Sequence, residues 1–304
     1  MLLLFEQVLN GLQLGVMLFL LAAGLTLVLG IMNLVNLAHG SLYMVGAFVA
    51  ATVAQETGSF LLGLLAALPA AALTGIAVEV IALRTLYERD HLDQVLATFG
   101  LILFFNEAVA MIWGPRALFL DPPAWLSGAV EILPGVPYPA FRLAILVVGL
   151  LVAAFLYWLV QRTRLGMLIR AGASNREMVG ALGVDIKRLY TLVFGLGAML
   201  AGLAGVMAGP VYAVEPGMGE PVLILAFVVI IIGGIGSIRG ALVGALLVGT
   251  VDTLGRAFLP TLFGAALGPA AASGVGAALA SMAIYILMAA VLVWRPRGLF
   301  PAHG

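Results

Sequence analysis

The chain has 304 residues, of which 63% are hydrophobic and 9% charged, and its fourteen basic and fourteen acidic side chains cancel. A mean hydropathy of +1.19 excludes an ordinary soluble domain, the neutral balance offers nothing to nucleic acid, and the absence of cysteine excludes disulfides and thiolate metal sites. His39, His91 and His303 stand too far apart to suggest a metal cluster.

The N-terminal stretch MLLLFEQVLNGLQLG lacks the basic region and small-residue cleavage site of a secretory signal, so it is expected to stay as a membrane helix. Counting about 20 apolar residues to a span, the first runs over 8–30 and the second ends near Ala54, with Asn33, Asn36, His39, Gly40 and Ser41 interrupting the apolar run between them. A third span covers 60–83, a charged loop 84–94, and a fourth span 95–113. Residues 114–140 are rich in proline and glycine and carry tryptophan anchors at Trp113, just before them, and Trp125, within them, which suits an ordered interfacial loop on the outside.

A fifth span, 143–160, leads into a polar segment, and a sixth, 189–207, leaves it. An apolar run over 222–232 is interrupted by GGIGSIRG at 233–240, then spans follow over 241–259 and 275–294, joined by a Gly/Ala-rich connection, 260–274, that dips into the membrane. The fold expected is therefore an all-α polytopic membrane protein, one domain over 1–304, with eight to ten transmembrane helices (nine as drawn) and two broken or re-entrant segments. Eleven of the fourteen basic residues fall in loops on one side of this scheme. By the positive-inside rule that side is the cytosol, with the N-terminus outside and the C-terminus inside.

The polar segment, 162–188, holds Arg162, Arg164, Arg170, Arg176, Lys187 and Arg188 together with Glu177 and Asp185. From Met167 to Leu182 it reads as one short amphipathic helix, apolar at Leu168, Ile169, Met178, Val179 and Leu182, stopped by Gly183, with Asp185 capping the next span. A charged surface helix is thus joined directly to a membrane helix. At the two breaks, amide and imidazole groups inside an apolar segment are costly unless they pair with each other, with freed backbone or with a solute. Asn33 and His39 fit either a helix tie or a solute path, and Gly40 and Gly46 fit close helix packing. Four glycines within 233–240 cannot make a stable isolated helix. Matching positions 200 residues apart (Ile31 and Ile231, Gly40 and Gly240, Leu42 and Leu242) have the spacing expected of paired broken helices in a two-half transporter.

Three of these stretches carry a resemblance. Ser174 to Asp185, SNREMVGALGVD, is similar to the cytoplasmic coupling loop of bacterial ABC importer permeases of the branched-chain amino acid group. Asn33 to Gly46 resembles that group's N-x-A-H-G-x-x-Y-M-x-G signature, and Gly233 to Ala241 its GGxGSxxGA. The resemblance implies a permease in the bacterial inner membrane, paired with a second, homologous permease, two ATPase subunits that bind ATP and magnesium, and a periplasmic binding protein that delivers a small solute. It implies a solute path along Asn33, Asn36, His39, Ser41, Tyr43, Gly233, Gly234, Gly236 and Ser237. It also implies ATPase coupling through Arg170, Ser174, Asn175, Arg176, Glu177, Met178, Val179, Leu182 and Gly183. Ser41 stands where some members have an acidic residue and Arg239 where many have proline, which leaves open branched-chain amino acids, urea, amides or aromatic acids.

No GxxxxGK[ST] is present, so this chain is expected to bind no cofactor and no nucleotide itself, and no HExxH, GxSxG or paired carboxylates suggest catalytic or metal residues. A passive channel or secondary transporter would share the hydropathy but would not need the coupling pattern. The intramembrane carboxylates that a secondary transporter would use are few, Glu79, Glu107 and Asp252, all near helix ends. A sugar or nucleoside ABC permease is the nearest alternative.

Overall fold

The computed structural model describes residues 2–87, 89–267 and 269–301. Eleven helices, α1 to α11, follow in chain order. The first is α1 (Leu2–Met32), whose stretch from Gly15 to Leu29 is apolar on every side but for Thr26 and is buried throughout. A helix of that kind belongs at the centre of a membrane bundle. Around it lie α2 (His39–Thr57), α8 (Ile186–Ala208), α9 (Gly219–Gly233) and α10 (Ile238–Leu267). On the outside, α3 (Phe60–Ile81), α4 (His91–Trp113), α5 (Ala140–Arg162) and α11 (Pro269–Trp294) turn Leu65, Leu73, Phe104, Leu150 and Ile286 away from the protein, as lipid-facing helices do. The polar segment forms α6 (Arg164–Ser174) and α7 (Arg176–Ala181).

Among the described residues seven helices, α1, α3, α4, α5, α8, α10 and α11, are long and apolar enough to cross a membrane. The nine spans drawn from hydropathy are these seven plus α2, which is more polar, and α9, which has 15 residues. Both are packed inside the bundle; α2 at 19 residues is long enough to cross, and α9 at 15 is shorter than a full span. The connection over 260–274 is helical rather than looped: α10 continues through Pro260 to Leu267 and α11 begins at Pro269, while Gly268 lies outside the described residues. Alanine is the best helix former, and backbone near lipid has few other ways to satisfy its hydrogen bonds.

The outer loop adds a two-stranded antiparallel hairpin, β1 (Ala129–Leu133) with β2 (Val136–Pro139), that hydropathy did not signal. Leu118 and Val214 exchange backbone hydrogen bonds of 2.8 and 3.0 Å, tying this loop to the one after α8. Trp113 donates from Nε1 to Thr52 Oγ1 at 2.6 Å, so it anchors α4 to α2 rather than only marking an interface.

The inner helices approach through glycine. A Cβ on Gly46 would run into the backbone of Gly202, and one on Gly205 into the carbonyl of Tyr43, so α2 crosses α8 at backbone contact. At the end of α1, Asn33 takes a left-handed φ of 51° while its N–H bonds the Leu29 carbonyl at 3.1 Å. Asparagine tolerates that conformation and a β-branched residue does not. Asn33→Val should therefore lower the stability of the detergent-solubilised protein by about 1–2 kcal/mol, with Asn33→Gly near the unmodified value in the same thermal melt.

Candidate functional site

The first interruption is re-entrant. After Met32 the chain has no helical structure through Asn36 and resumes as a helix at His39, whose Nε2 lies 3.0 Å from where a Cβ on Gly24 would stand. Gly24 is eight residues before the end of α1, so the His39 ring reaches a level about 12 Å back along that helix as α2 begins. Asn36 accepts the Ala38 N–H through its side chain at 3.0 Å, which shapes this turn. His39, Gly40, Ser41 and Tyr43, placed by sequence in or beside the break, are in the helix that follows it.

The first turn of α2 meets the first turn of α9: the Gly219 carbonyl lies 2.5 Å from a would-be Cβ on Gly40. The two helices therefore abut at their N-termini inside the bundle. A crevice too narrow to hold a water molecule lies beside this contact, lined by Ser41, Asn106 and Glu220 among others, and Asn106 donates to the Glu220 carboxylate at 2.5 Å.

The second interruption is built differently. It is a tight turn, Gly234 to Ser237, with φ of 105° at Gly234 and 79° at Gly236, and Ser237 caps α10 by accepting the Gly240 N–H at 3.0 Å. Gly233 packs against the Gly240 backbone, and Gly234 against the chain near Phe300, which bonds back through Leu299 N–H to Ile232 O and Phe300 N–H to Gly233 O, both 2.9 Å. These two glycines serve packing. The different construction gives no support to a repeat of the two breaks.

The polar segment is two helices rather than one. Asn175 leaves helical geometry (φ −153°, ψ 93°) and accepts the Met178 N–H at 2.9 Å, so its side chain ends α6 and caps α7. Asparagine competes with the backbone in this way, which a count of apolar spacing overlooks. Gly183 follows at φ 87°, and Asp185 caps α8 by accepting the Arg188 N–H at 3.1 Å. Ile169 and Val179 are buried within the protein, whereas Met178 is 58% and Leu182 76% exposed. Arg170, Ser174, Asn175, Arg176, Glu177 and Gly183 are exposed as well.

A cavity of about 1090 Å³ brings part of the two predicted sets together. Asn33, Gly236 and Ser237 from the interruptions line it, and so do Arg170 and the run Ser174 to Glu177 from the polar segment. Three arginines, Arg170, Arg176 and Arg239, face Glu177 as the single carboxylate among its lining residues, so the cavity is electropositive. The remaining path residues are elsewhere: Asn36 and His39 have no exposed surface, Tyr43 has 2%, and Ser41 faces the narrow crevice. Neither ring nitrogen of His39 nor the amide nitrogen of Asn36 has a hydrogen-bond partner among the described residues. Tyr157 and Gln161 of α5 also line the cavity, with the Arg239 guanidinium 5.3 Å from the Tyr157 ring centre. Sequence reading passed over both, although their i, i+4 spacing on an apolar span was a usable signal.

The family profile described as branched-chain amino acid transport system / permease component matches residues 7–292. The high-affinity branched-chain amino acid transport system permease protein BraD of Pseudomonas aeruginosa is 34% identical over 264 residues, 82% of this chain and 85% of its own. The corresponding protein LivH of Escherichia coli is 31% identical over 269 residues, 84% of this chain and 87% of its own. A solved ABC transporter of the metal-chelate type, in an inward-facing conformation, overlaps 93% of this chain and 85% of its own at a TM-score of 0.49 and 19% identity, too loose a likeness to carry detail. Both interruptions, the polar segment and the seven membrane-crossing helices fall within residues 7–292, apart from the ends of α1 and α11. This is a multi-pass inner-membrane protein, and it belongs to the permease-component family of branched-chain amino acid transport systems.

Proposed function

We propose that the chain is the translocation subunit of an ATP-driven importer that takes up branched-chain amino acids or a related small polar, amide or carboxylate solute. A second, homologous permease, two ATPase subunits and a solute-binding protein complete the machine, and ATP and magnesium sit on the ATPases. The observation that carries this reading is the juxtaposition of the exposed apolar side chains Met178 and Leu182 with a cavity lined by both the polar segment and the interrupted helices. Movement imposed on α7 from outside the bundle would act directly on the wall of that cavity. The relatives named for branched-chain amino acid transport support the solute class.

In this reading α6 and α7 face the cytosol, the N-terminus lies outside and the C-terminus inside. Ser174 and Ser127 are both exposed and lie at opposite ends of α5. A cysteine at Ser174 should react with a membrane-impermeant maleimide from the cytosolic face only, and one at Ser127 from the outer face only. Labelling of both from one face refutes the orientation. The purified chain alone should show no ATP turnover, and addition of its ATPase subunits should restore it; turnover by the single polypeptide would contradict the division of labour.

A further inference from the structure

We propose that Glu79, Arg84, Tyr87 and Thr191 form a polar strut that carries displacement of the coupling segment from α8 into α3, a positioning role that rests on the importer reading above. Glu79 ends α3 with no exposed surface, yet each of its oxygens accepts two hydrogen bonds. Arg84 donates from Nε to Oε1 at 3.2 Å and from Nη2 to Oε2 at 3.1 Å. Tyr87 donates its hydroxyl to Oε1, and Thr191 donates to Oε2 at 2.7 Å while accepting from Arg84 Nη2 at 2.9 Å.

Burial pushes the Tyr87 phenol up and its hydrogen bond to Glu79 adds to that, so it stays a donor across the physiological range. Its ring packs edge-on against Tyr190 at 5.3 Å between centres. The buried Gln94 holds the same loop from the other side, donating to the carbonyls of Leu86 and Arg89 at 3.1 and 3.2 Å.

The placement explains the need for such a strut. Thr191 lies in the second turn of α8, roughly 9 Å along the axis from the Asp185 cap that closes the coupling segment. Beyond it α3 and α8 pack closely through apolar groups, Gly75 against Ala198 and Phe194, Gly195 against Ile76 and Gly202 against Ala71, none of which makes a directional bond. The carboxylate is the one place where α3, its following loop and α8 are joined by directional bonds, among the described residues. A buried, fully satisfied charged network is rigid, and partial removal leaves an unpaired group. Without it, motion of α7 and the start of α8 would reach α3 only through apolar packing, with no directional bond to fix the register of the two helices.

Thr191 is the informative position: its hydroxyl accepts from Arg84 while its single proton has the Glu79 carboxylate at 2.7 Å and the Lys187 carbonyl at 3.0 Å, the shorter and charged acceptor being Glu79. Serine can both accept and donate and valine can do neither, at nearly the volume of threonine. In the complete complex reconstituted into liposomes with its binding protein, solute uptake and ATP hydrolysis would be measured in the same vesicles. The unmodified complex shows whether the importer reading holds; only the ratio between variants tests the strut. Thr191→Val should lower solute transported per ATP hydrolysed by roughly fivefold or more, with Thr191→Ser restoring most of it. Should the valine variant not assemble, Tyr87→Phe, which removes one donor and little volume, carries the same expectation of a lowered ratio. An unchanged ratio in Thr191→Val, or equal loss of assembly in the valine and serine variants, overturns the proposal.

Discussion

A Met178→Asp, Leu182→Asp permease, inserted and assembled with its binding protein and ATPases, should lose solute-stimulated ATP hydrolysis by two orders of magnitude or more. These two side chains are 58% and 76% exposed, Met178 on the six-residue helix α7 and Leu182 at its C-cap, while the helix's apolar anchor, Val179, is turned into the bundle at 6%. Val179 therefore fastens α7 to its own chain, and Met178 and Leu182 are left to meet a partner. Burying each would contribute about 1.5–3 kcal/mol. Losing both costs ~3–6 kcal/mol, roughly a hundredfold to ten-thousandfold in docking, before the desolvation of two carboxylates is added. Gly183→Val probes the same element by another route: nothing crowds its Cβ, but φ 87° places a β-branched side chain in the left-handed region. It should uncouple uptake from hydrolysis while leaving membrane insertion intact. Unmodified uptake in both variants would remove α7 from the coupling path.

The second large effect concerns folding. Gly46→Leu should abolish the monodisperse, detergent-solubilised protein, whereas Gly100→Leu should leave its yield and melting temperature near the unmodified values. A side chain at Gly46 meets the Gly202 backbone, which cannot rotate away, and at Gly100 there is nothing within 4 Å. Overpacking ordinarily costs about 1–3 kcal/mol, and the cost rises where the obstacle is backbone of a helix itself wedged against α1 and α3. Size-exclusion profiles of the two variants, made side by side, read the difference. A well-folded Gly46→Leu protein would mean that α2 and α8 do not cross as described.

Helices α3, α4, α5 and α11 were legible because lipid and a long apolar run say the same thing. The re-entrant start of α2 was not, since a hydropathy window cannot tell a chain that turns back beside Gly24 from one that simply bends at Asn33. Asn175 and Gly183 show the same limit at smaller scale. Both are turn-forming residues, yet only the glycine was read as a stop, because an asparagine in a polar run looks like a solvated helix face until its side chain is seen accepting the Met178 N–H. Of the candidate path, Asn33, Gly236 and Ser237 line the cavity, while Asn36, His39 and Tyr43 are buried away from it. Which residues of a polar interruption face space depends on helix rotation and depth, and spacing along the chain carries neither. The Glu79 network was invisible for a further reason: Thr191 lies 112 residues away in sequence, and its role follows from a helix crossing made by Gly75 and Gly202.

The central claim is that this chain forms the membrane path of an ATP-driven importer for branched-chain amino acids or a close chemical relative. Its most direct test is uptake of radiolabelled leucine, isoleucine and valine into proteoliposomes holding this chain, its permease partner and the ATPases, with binding protein outside and ATP and magnesium on the nucleotide-binding side. The account predicts accumulation against a gradient that requires ATP, binding protein and an intact Met178 and Leu182, and that excess unlabelled branched-chain amino acid suppresses while a pentose does not. Leucine equilibration without ATP, or accumulation undiminished when this chain is omitted, would contradict it.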